Sequence, residues 1–295
     1  SGEDTTLAAN VQSLHDGITI HADGDVETLV GAQILAQDAV AAGTTAAPGT
    51  VAVRSLGDVT FGDIVSGADG VQVRADGNIT VNANVTADFD GGDDGDLELS
   101  ADFDSSSAGD LVMGAGVVAT GDDLLLQGYN IAAGVLTADV DGTGTVMDGA
   151  GDITINAQNN ATLSGTLTAG TDATSDIDID GVLGTVTQAA ATNMTAGGNV
   201  MIDGGAGVNL DGTIGAGTAI GIDVTVTSAA GTVDLGGDVT ADDDIAVNAA
   251  NNVALGAGVD LIADADTSNA GNVTLNADTD SSSAGDVTMA GDATA

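Results

Sequence analysis

The 295-residue chain has no cysteine, no tryptophan, no lysine, a single proline and only four aromatic residues, Phe61, Phe89, Phe103 and Tyr129. Without cysteine there are neither disulfides nor thiolate metal sites, and thiol content says nothing about the redox compartment. So few rings exclude a broad globular core filled by large side chains. With no lysine, only Arg54 and Arg74 face 45 acidic residues, and the formal net charge is −43. Phosphate backbones need clustered cations, so nucleic acid is excluded as a partner. No run approaches the ~20 apolar residues that span a bilayer, and the charge repels an anionic surface, so no membrane insertion is expected. The opening SGEDTTLAAN lacks an initiator methionine and a basic, then apolar, leader. That start points to a processed protein or a piece of a longer one.

What is present is small, β-branched and repetitive. Hydrophobic residues make up 43% of the chain, enough apolar surface to fold despite the charge. A Gly-Asp or Gly-Asn pair followed by a short alternating strand recurs throughout: GDVTF at 57, GNITV at 77, GDLEL at 95, GDLVM at 109, GDITI at 151, GNVMI at 198, GNVTL at 271 and GDVTM at 285. Within each phrase the third and fifth residues share one face, as Ile153 and Ile155 do, while Asp152 and Thr154 take the other. Glycine with Asp or Asn supplies the corners between strands.

From 231 to 263 a strand begins about every seven residues, too short a step for sandwiches and barrels. The fold class expected is therefore all-β, a single-stranded parallel β-helix (β-solenoid) with about three short strands and ~22 residues per rung. About 13 such rungs fit the chain, stacked ~4.8 Å apart. Residues 1–50 are expected as an irregular segment or cap, and 51–295 as the regular coil. Within 25–43, DVETLVGAQILAQDAVAAG spaces its apolar residues at helical intervals, so a short helix near 26–42 is one reading. Two strands turned at Gly31 are the other.

The phrases GDITI and GNVTL resemble those of large secreted adhesins of the filamentous-haemagglutinin type. That resemblance, over residues 51–295, implies a right-handed parallel β-helix at a cell surface or outside the cell.

One acidic phrase is written twice, as DFDSSSAGD from Asp102 and as DTDSSSAGD from Asp278. It belongs to a four-copy pattern, D-x-D-x4-G-[DN]-[LV]-x-[LM], beginning at Asp88, Asp102, Asp264 and Asp278. The offset between the two phrases divides into about eight rungs of ~22 residues, which places Asp102 and Asp278 on one edge. Adjacent copies, such as those at Asp88 and Asp102, then fall on different sides. The carboxylates, Asp88 with Asp90, Asp102 with Asp104, Asp264 with Asp266 and Asp278 with Asp280, are hard ligands suited to Ca²⁺. Against this, aspartates at i and i+2 of a strand stand about 7 Å apart, too far to grip one ion unless the loop bends. The same pattern equally describes solvated acidic corners.

Five N-x-T sequons, at Asn78, Asn84, Asn160, Asn193 and Asn272, are glycan acceptors on a secreted chain or, alternatively, ordinary corner residues. His15, His21, Arg54 and Arg74 are the only bases and cations available to partner the carboxylates, too few for a polysaccharide-cleaving groove. The expectation is non-enzymatic. The histidines read as surface residues and the arginines as partners of local aspartates. The function expected is an extracellular structural protein, an adhesin stalk or self-assembling fibre subunit, whose partner is itself, end to end through exposed strand edges, or further sequence of a longer chain. The alternative is a Ca²⁺-dependent carbohydrate- or surface-binding passenger.

Overall fold

The computed structural model describes residues 3–14, 16–37, 49–88, 95–139, 151–217, 221–265, 271–282 and 285–294. All regular structure among them is β-strand, in short segments, and the strands pair in parallel. The chain divides into two compact units, residues 1–151 and 152–295. Each is a coil of three-stranded rungs, and the three sides of a rung recur in the same order.

In the first unit, side 1 runs from Thr5–Leu7 to Ile131–Ala133, side 2 from Val11–Ser13 to Val135–Ala138, and side 3 from Ile18–Ala22 to Leu124–Gly128. In the second, side 3 runs from Ile153–Ala157 to Val273–Asn276, side 1 from Ala161–Leu163 to Val287–Met289, and side 2 from Leu167–Thr168 to Asp292–Thr294. Residues 5–36, within the stretch expected to be irregular, already form strands of all three sides.

Alternation puts every second residue inside. Val71, Val73 and Ala75 are buried while Gln72 and Arg74 between them are only partly so, and Ile177, Ile179 and Gly181 repeat the pattern around Asp178 and Asp180. Register then stacks like on like: Val51 on Val71 on Leu97 in one unit, and Ile177 on Val200 on Val224 in the other. A tube this narrow accepts Val, Ile, Leu and Ala without leaving gaps, and Phe61 is the largest fully buried side chain. Each buried Val, Ile or Leu contributes roughly 1.5–3 kcal/mol of transfer free energy.

The expected helix near 26–42 is not formed over its described part. Val26–Thr28 and Ile34–Ala36 are strands of sides 1 and 2, paired with Val59–Phe61 and Val65–Gly67. Gly31 turns between them with φ of 89°, a conformation no helix uses, and donates its N–H to Asp63 Oδ2 at 2.6 Å. Leu29 and Val30, which a helix would have placed on its apolar face, are 40% and 89% exposed. Residues 38–42 lie outside the described residues.

The rungs scatter about the ~22 residues expected from the sequence, with steps of 21 from Asp4 to Asp25, 23 from Asp176 to Asn199 and 24 from Asn199 to Asp223. In a bare rung the stacked partner lies 20 residues on, as Asn78 lies on Asp58 and Asn130 on Asp110. Val59 facing Ile79, Leu111 facing Ile131 and Val233 facing Val253 follow the same step. Longer rungs contain excursions. The step from Gln72 to Glu98 is 26 residues and encloses 88–95, while that from Asp244 to Asn272 is 28 residues and encloses 264–271. Asn78 to Asp110 is a step of 32 residues and encloses both 88–95 and 102–109. The D-x-D-x4-G pattern thus marks an insertion into the bare rung, a step of 26 residues at 88–95 and of 28 at 264–271 against the 20 of Asp58 to Asn78. In chain order seven side-3 steps, not eight, separate Leu97–Ser100 from Val273–Asn276.

Candidate functional site on side 3 of the first unit

The recurrent Gly-Asp and Gly-Asn pairs are rung-to-rung connectors. Before side 1 of the first unit stand Asp4, Asp25, Asp58, Asn78, Asp110 and Asn130, and the side-chain oxygen of each accepts the backbone N–H of the next, at 2.7 to 3.2 Å. The second unit builds the same ladder at a different corner, before side 3, from Asp152, Asp176, Asn199, Asp223, Asp244 and Asn272, at 2.6 to 3.0 Å. Where an Asn follows an Asp, its side-chain amide adds a second bond: Asn78 Nδ2 to Asp58 Oδ1 at 3.1 Å, Asn272 Nδ2 to Asp244 Oδ1 at 2.9 Å. At Gly24, Gly57, Gly77 and Gly198, each just before a connector, the carboxylate of the rung before lies where a Cβ would go; at Gly57 that atom would collide with Asp25 Oδ1.

Two of the sequon asparagines, Asn78 and Asn272, are members of these ladders, and the other three also bond between rungs. Asn78 and Asn272 each donate from Nδ2 to Asp58 and Asp244. Asn84 Oδ1 accepts Val118 N–H, Asn160 Oδ1 accepts Thr185 N–H, and Asn193 Oδ1 accepts the Thr213 hydroxyl.

The acidic pattern is the signature of the excursions. Asp102, at the corner after side 3, and Asp278, at the equivalent corner of the second unit, take left-handed φ of 53° and 59°. Their loops match in detail. Ser106 Oγ and Ser282 Oγ donate to Asp102 Oδ1 and Asp278 Oδ1, while Ser106 N–H and Ser282 N–H donate to Asp104 Oδ1 and Asp280 Oδ1. Asp102 also accepts Ser107 N–H at 3.0 Å. The loop does bend, so each aspartate pair meets at a serine. Gly109 and Gly285 close the excursions: a Cβ on either would strike the backbone nitrogen of Asp102 or Asp278.

Asp88 and Asp264 sit at the other corner, between sides 2 and 3, so the adjacent copies at Asp88 and Asp102 occupy different corners of the coil, as do those at Asp264 and Asp278. Asp88 and Asp102 are buried, Asp264 partly so, Asp278 also partly, and Asp104 and Asp280 exposed; Asp90 and Asp266 lie outside the described residues. Among the described residues no three His, Cys, Asp or Glu side chains converge as a metal-holding group.

A different constellation gathers on the outer face of side 3 in the first unit. Register stacks His21 on Arg54 on Arg74, so both arginines of the chain and one of its two histidines share one column. Beside it runs Thr19, Ala52, Gln72 and Glu98. Arg54 Nη2 donates to Asp76 Oδ1 at 2.6 Å. Arg74 grips Glu98 with two prongs, Nε to Oε1 at 2.7 Å and Nη2 to Oε2 at 2.8 Å, and Gln72 Nε2 donates to the same Oε2 at 2.8 Å. That hydrogen-bonded carboxylate holds the Arg74 guanidinium above its ordinary pKa. Of the two arginines expected to pair with aspartates, Arg74 pairs with a glutamate instead.

Phe103, carried by the 102–109 excursion, lies over both cations, its ring centre 4.8 Å from the Arg54 guanidinium carbon and 5.0 Å from that of Arg74. Next to the pair, over the short Ala52, is a recess of about 250 Å³ lined also by Thr19, His21 and Gln72. Sequence reasoning did not join these groups, although VAVRS at 51 and VQVRA at 71, offset by one bare rung, were the signal. His15 lies outside the described residues.

Side 3 of the second unit carries different outward residues. Asp178 and Asp180 stand on Met201 and Asp203 in register, and Asp180 and Asp203 line a hollow of about 240 Å³. Burial, then neighbouring Asp180, Asp203 and Asp176, push the Asp178 carboxyl above the usual range; burial and Asp203 do the same for Asp180. No protein-family model matches the chain, and neither a curated protein nor a solved structure matches it.

Proposed function

We propose that the protein is an extracellular structural protein, a β-solenoid that serves as an adhesin stalk or as a fibre subunit, and that it is not an enzyme. The observation that carries this reading is the investment of side chains in rung-to-rung bonding. Six-membered Asp/Asn ladders in both units commit the commonest polar motif of the chain to stacking, in a body whose strands pair in parallel from rung to rung. The texture shared with filamentous-haemagglutinin-type adhesins agrees with it.

The partner this reading proposes is a second copy, stacked end to end by strand pairing. Val287 and Met289 stand in register with Val253 and Leu255, which are buried, yet are themselves 44% and 46% exposed. The uniform negative charge discourages lateral clumping and leaves axial stacking as the favoured contact.

Sedimentation velocity over a concentration series, with negative-stain electron microscopy, tests the self-assembling form. Growth of end-to-end oligomers that Val287→Asp together with Met289→Asp abolishes is the expected result. A protein that stays monomeric at every concentration, with or without the substitutions, overturns it.

A further inference from the structure

We infer that the recess over Ala52, walled by His21, Arg54, Gln72 and Arg74, binds a neutral saccharide, one hexose-sized unit at a time. The cluster is not needed to fold the loop that covers it, and the molecule contains its own control. The excursion from Asp278 has the same Asp–Ser bonds as the one from Asp102, and Thr279 N–H reaches Ala249 O at 3.1 Å just as Phe103 N–H reaches Ala75 O at 2.9 Å. Yet Thr279 stands where Phe103 does, and Thr227 and Asn248 stand in register where Arg54 and Arg74 do. A loop that closes equally well without them leaves the ring and both guanidinium groups to be accounted for by something outside the loop.

Their chemistry selects the ligand. The charges of Arg54 and Arg74 are compensated by Asp76 and Glu98, so the site is close to neutral within a chain of −43. An anion is repelled by that surrounding field and meets no net positive charge here, while a cation finds carboxylates over much of the surface and no reason to prefer this place. A polyhydroxylated neutral ligand meets what it needs. Arg74 Nη1 has no protein partner among the described residues, and Thr19 and Gln72 each offer a donor and an acceptor. Ion pairs and ring stacking hold the arginines in place, so little side-chain entropy is lost on binding. Phe103, 43% exposed, does not itself line the recess but rests on two of the groups that do, and adds apolar surface beside it for the C–H side of a sugar ring. The volume, below the ~300 Å³ at which drug-sized pockets begin, suits one ring.

The test is calorimetric titration of the full chain with maltose, cellobiose and lactose, and with glucuronate as the anionic probe, at low and high salt. Saturable binding of at least one neutral disaccharide is expected, with Kd on the order of millimolar and unaltered by salt. Phe103→Ala and Ala52→Leu, which removes no bond and fills the recess, should each weaken it about tenfold or more. Thr279→Ala should leave it unchanged, and unaltered melting of each variant shows that folding is intact. Absence of saturable binding by all three disaccharides overturns the inference. So does binding indifferent to Ala52→Leu, or a preference for glucuronate that salt abolishes.

Discussion

Side 3 presents two different outer faces on one kind of backbone. In the first unit its outward residues are His21, Arg54, Arg74 and Gln72, with Phe103 folded over them; in the second they are Asp178, Asp180 and Asp203, with threonines and asparagines beyond. Inward, both sides stack Val, Ile and Leu in the same register, and both units build a six-membered Asp/Asn ladder. The rung therefore constrains the inward residues and the corners, and leaves the outward ones to vary. Function, on a coil of this kind, is written on the outside of a side whose inside cannot change.

The largest break in that comparison comes from the residues both corner loops share. Gly109→Val should cost about 3 kcal/mol or more, because the new side chain meets the backbone of Asp102 and Gly77, which cannot retreat. Gly285→Val repeats the insult against Asp278 and Asn251 in a corner whose strands are exposed, and should cost less. Thermal unfolding followed by circular dichroism ranks the two, and a Gly109→Val protein as stable as the parent would remove loop closure as the meaning of the acidic pattern.

The ladders offer a matched pair at smaller cost. Asp58 accepts two donors from Asn78, and Asp244 accepts two from Asn272. Asp58→Ala and Asp244→Ala should each lower stability by about 1–2 kcal/mol, and the asparagine variants, which keep an acceptor, by less. Unequal losses measured by denaturant unfolding would show that the two corners do different structural jobs.

Acid should help rather than harm both units. Asp122 is pushed from 3.8 up to about 6 by burial, partly opposed by the bond from Gly95 N–H and reinforced by Asp88, Asp96 and Asp123. A carboxyl whose folded pKa is raised takes up its proton more readily in the fold. Its contribution to stability is complete below 3.8 and is lost as pH rises through about 6. Melting temperature should therefore climb as pH falls from neutral towards 5. Asp122→Asn, which still accepts from Gly95, should gain on the order of 1 kcal/mol at neutral pH after allowance for solvent screening, and flatten the profile. Asp178 and Asp180, raised by burial and by their acidic neighbours, act in the same direction in the second unit.

The smallest effect expected is that of calcium. The aspartate pairs at 102 and 278 are turned to serine hydroxyls and backbone N–H groups. A Ca²⁺ titration at physiological ionic strength should move the melting temperature no more than Mg²⁺ does. A saturable, Ca²⁺-selective rise would show the pattern to be a metal site.

Much of this was readable in the residues. DIDID at 176 places Ile177 and Ile179 inside and its aspartates outside, as alternation requires, and the eight Gly-Asp and Gly-Asn phrases all lead into strands. Two things were not readable for physical reasons. Periodicity averages over insertions, so a short bare rung with excursions at 88–95 and 102–109 reads as a uniformly longer one. Helical spacing in 25–43 could not reveal that parallel partners at Val59 and Val65 would claim Val26 and Ile34. The cation column needed the true rung length: the separation of Arg54 from Arg74 means contact only once it is known to equal one bare turn of the coil.

The corner ladders also have a direction. From Asp4 to Asn130, and again from Asp152 to Asn272, the side chain accepts and the later rung donates, never the reverse. A rung holds out an acceptor at the spot where the next amide lands, whereas its other edge presents the backbone N–H and, at Asn78, Asn130, Asn199 and Asn272, the side-chain amide as well. The two edges of a rung are thereby complementary rather than alike, carboxylate and amide oxygens facing the later rung and N–H groups facing the earlier one.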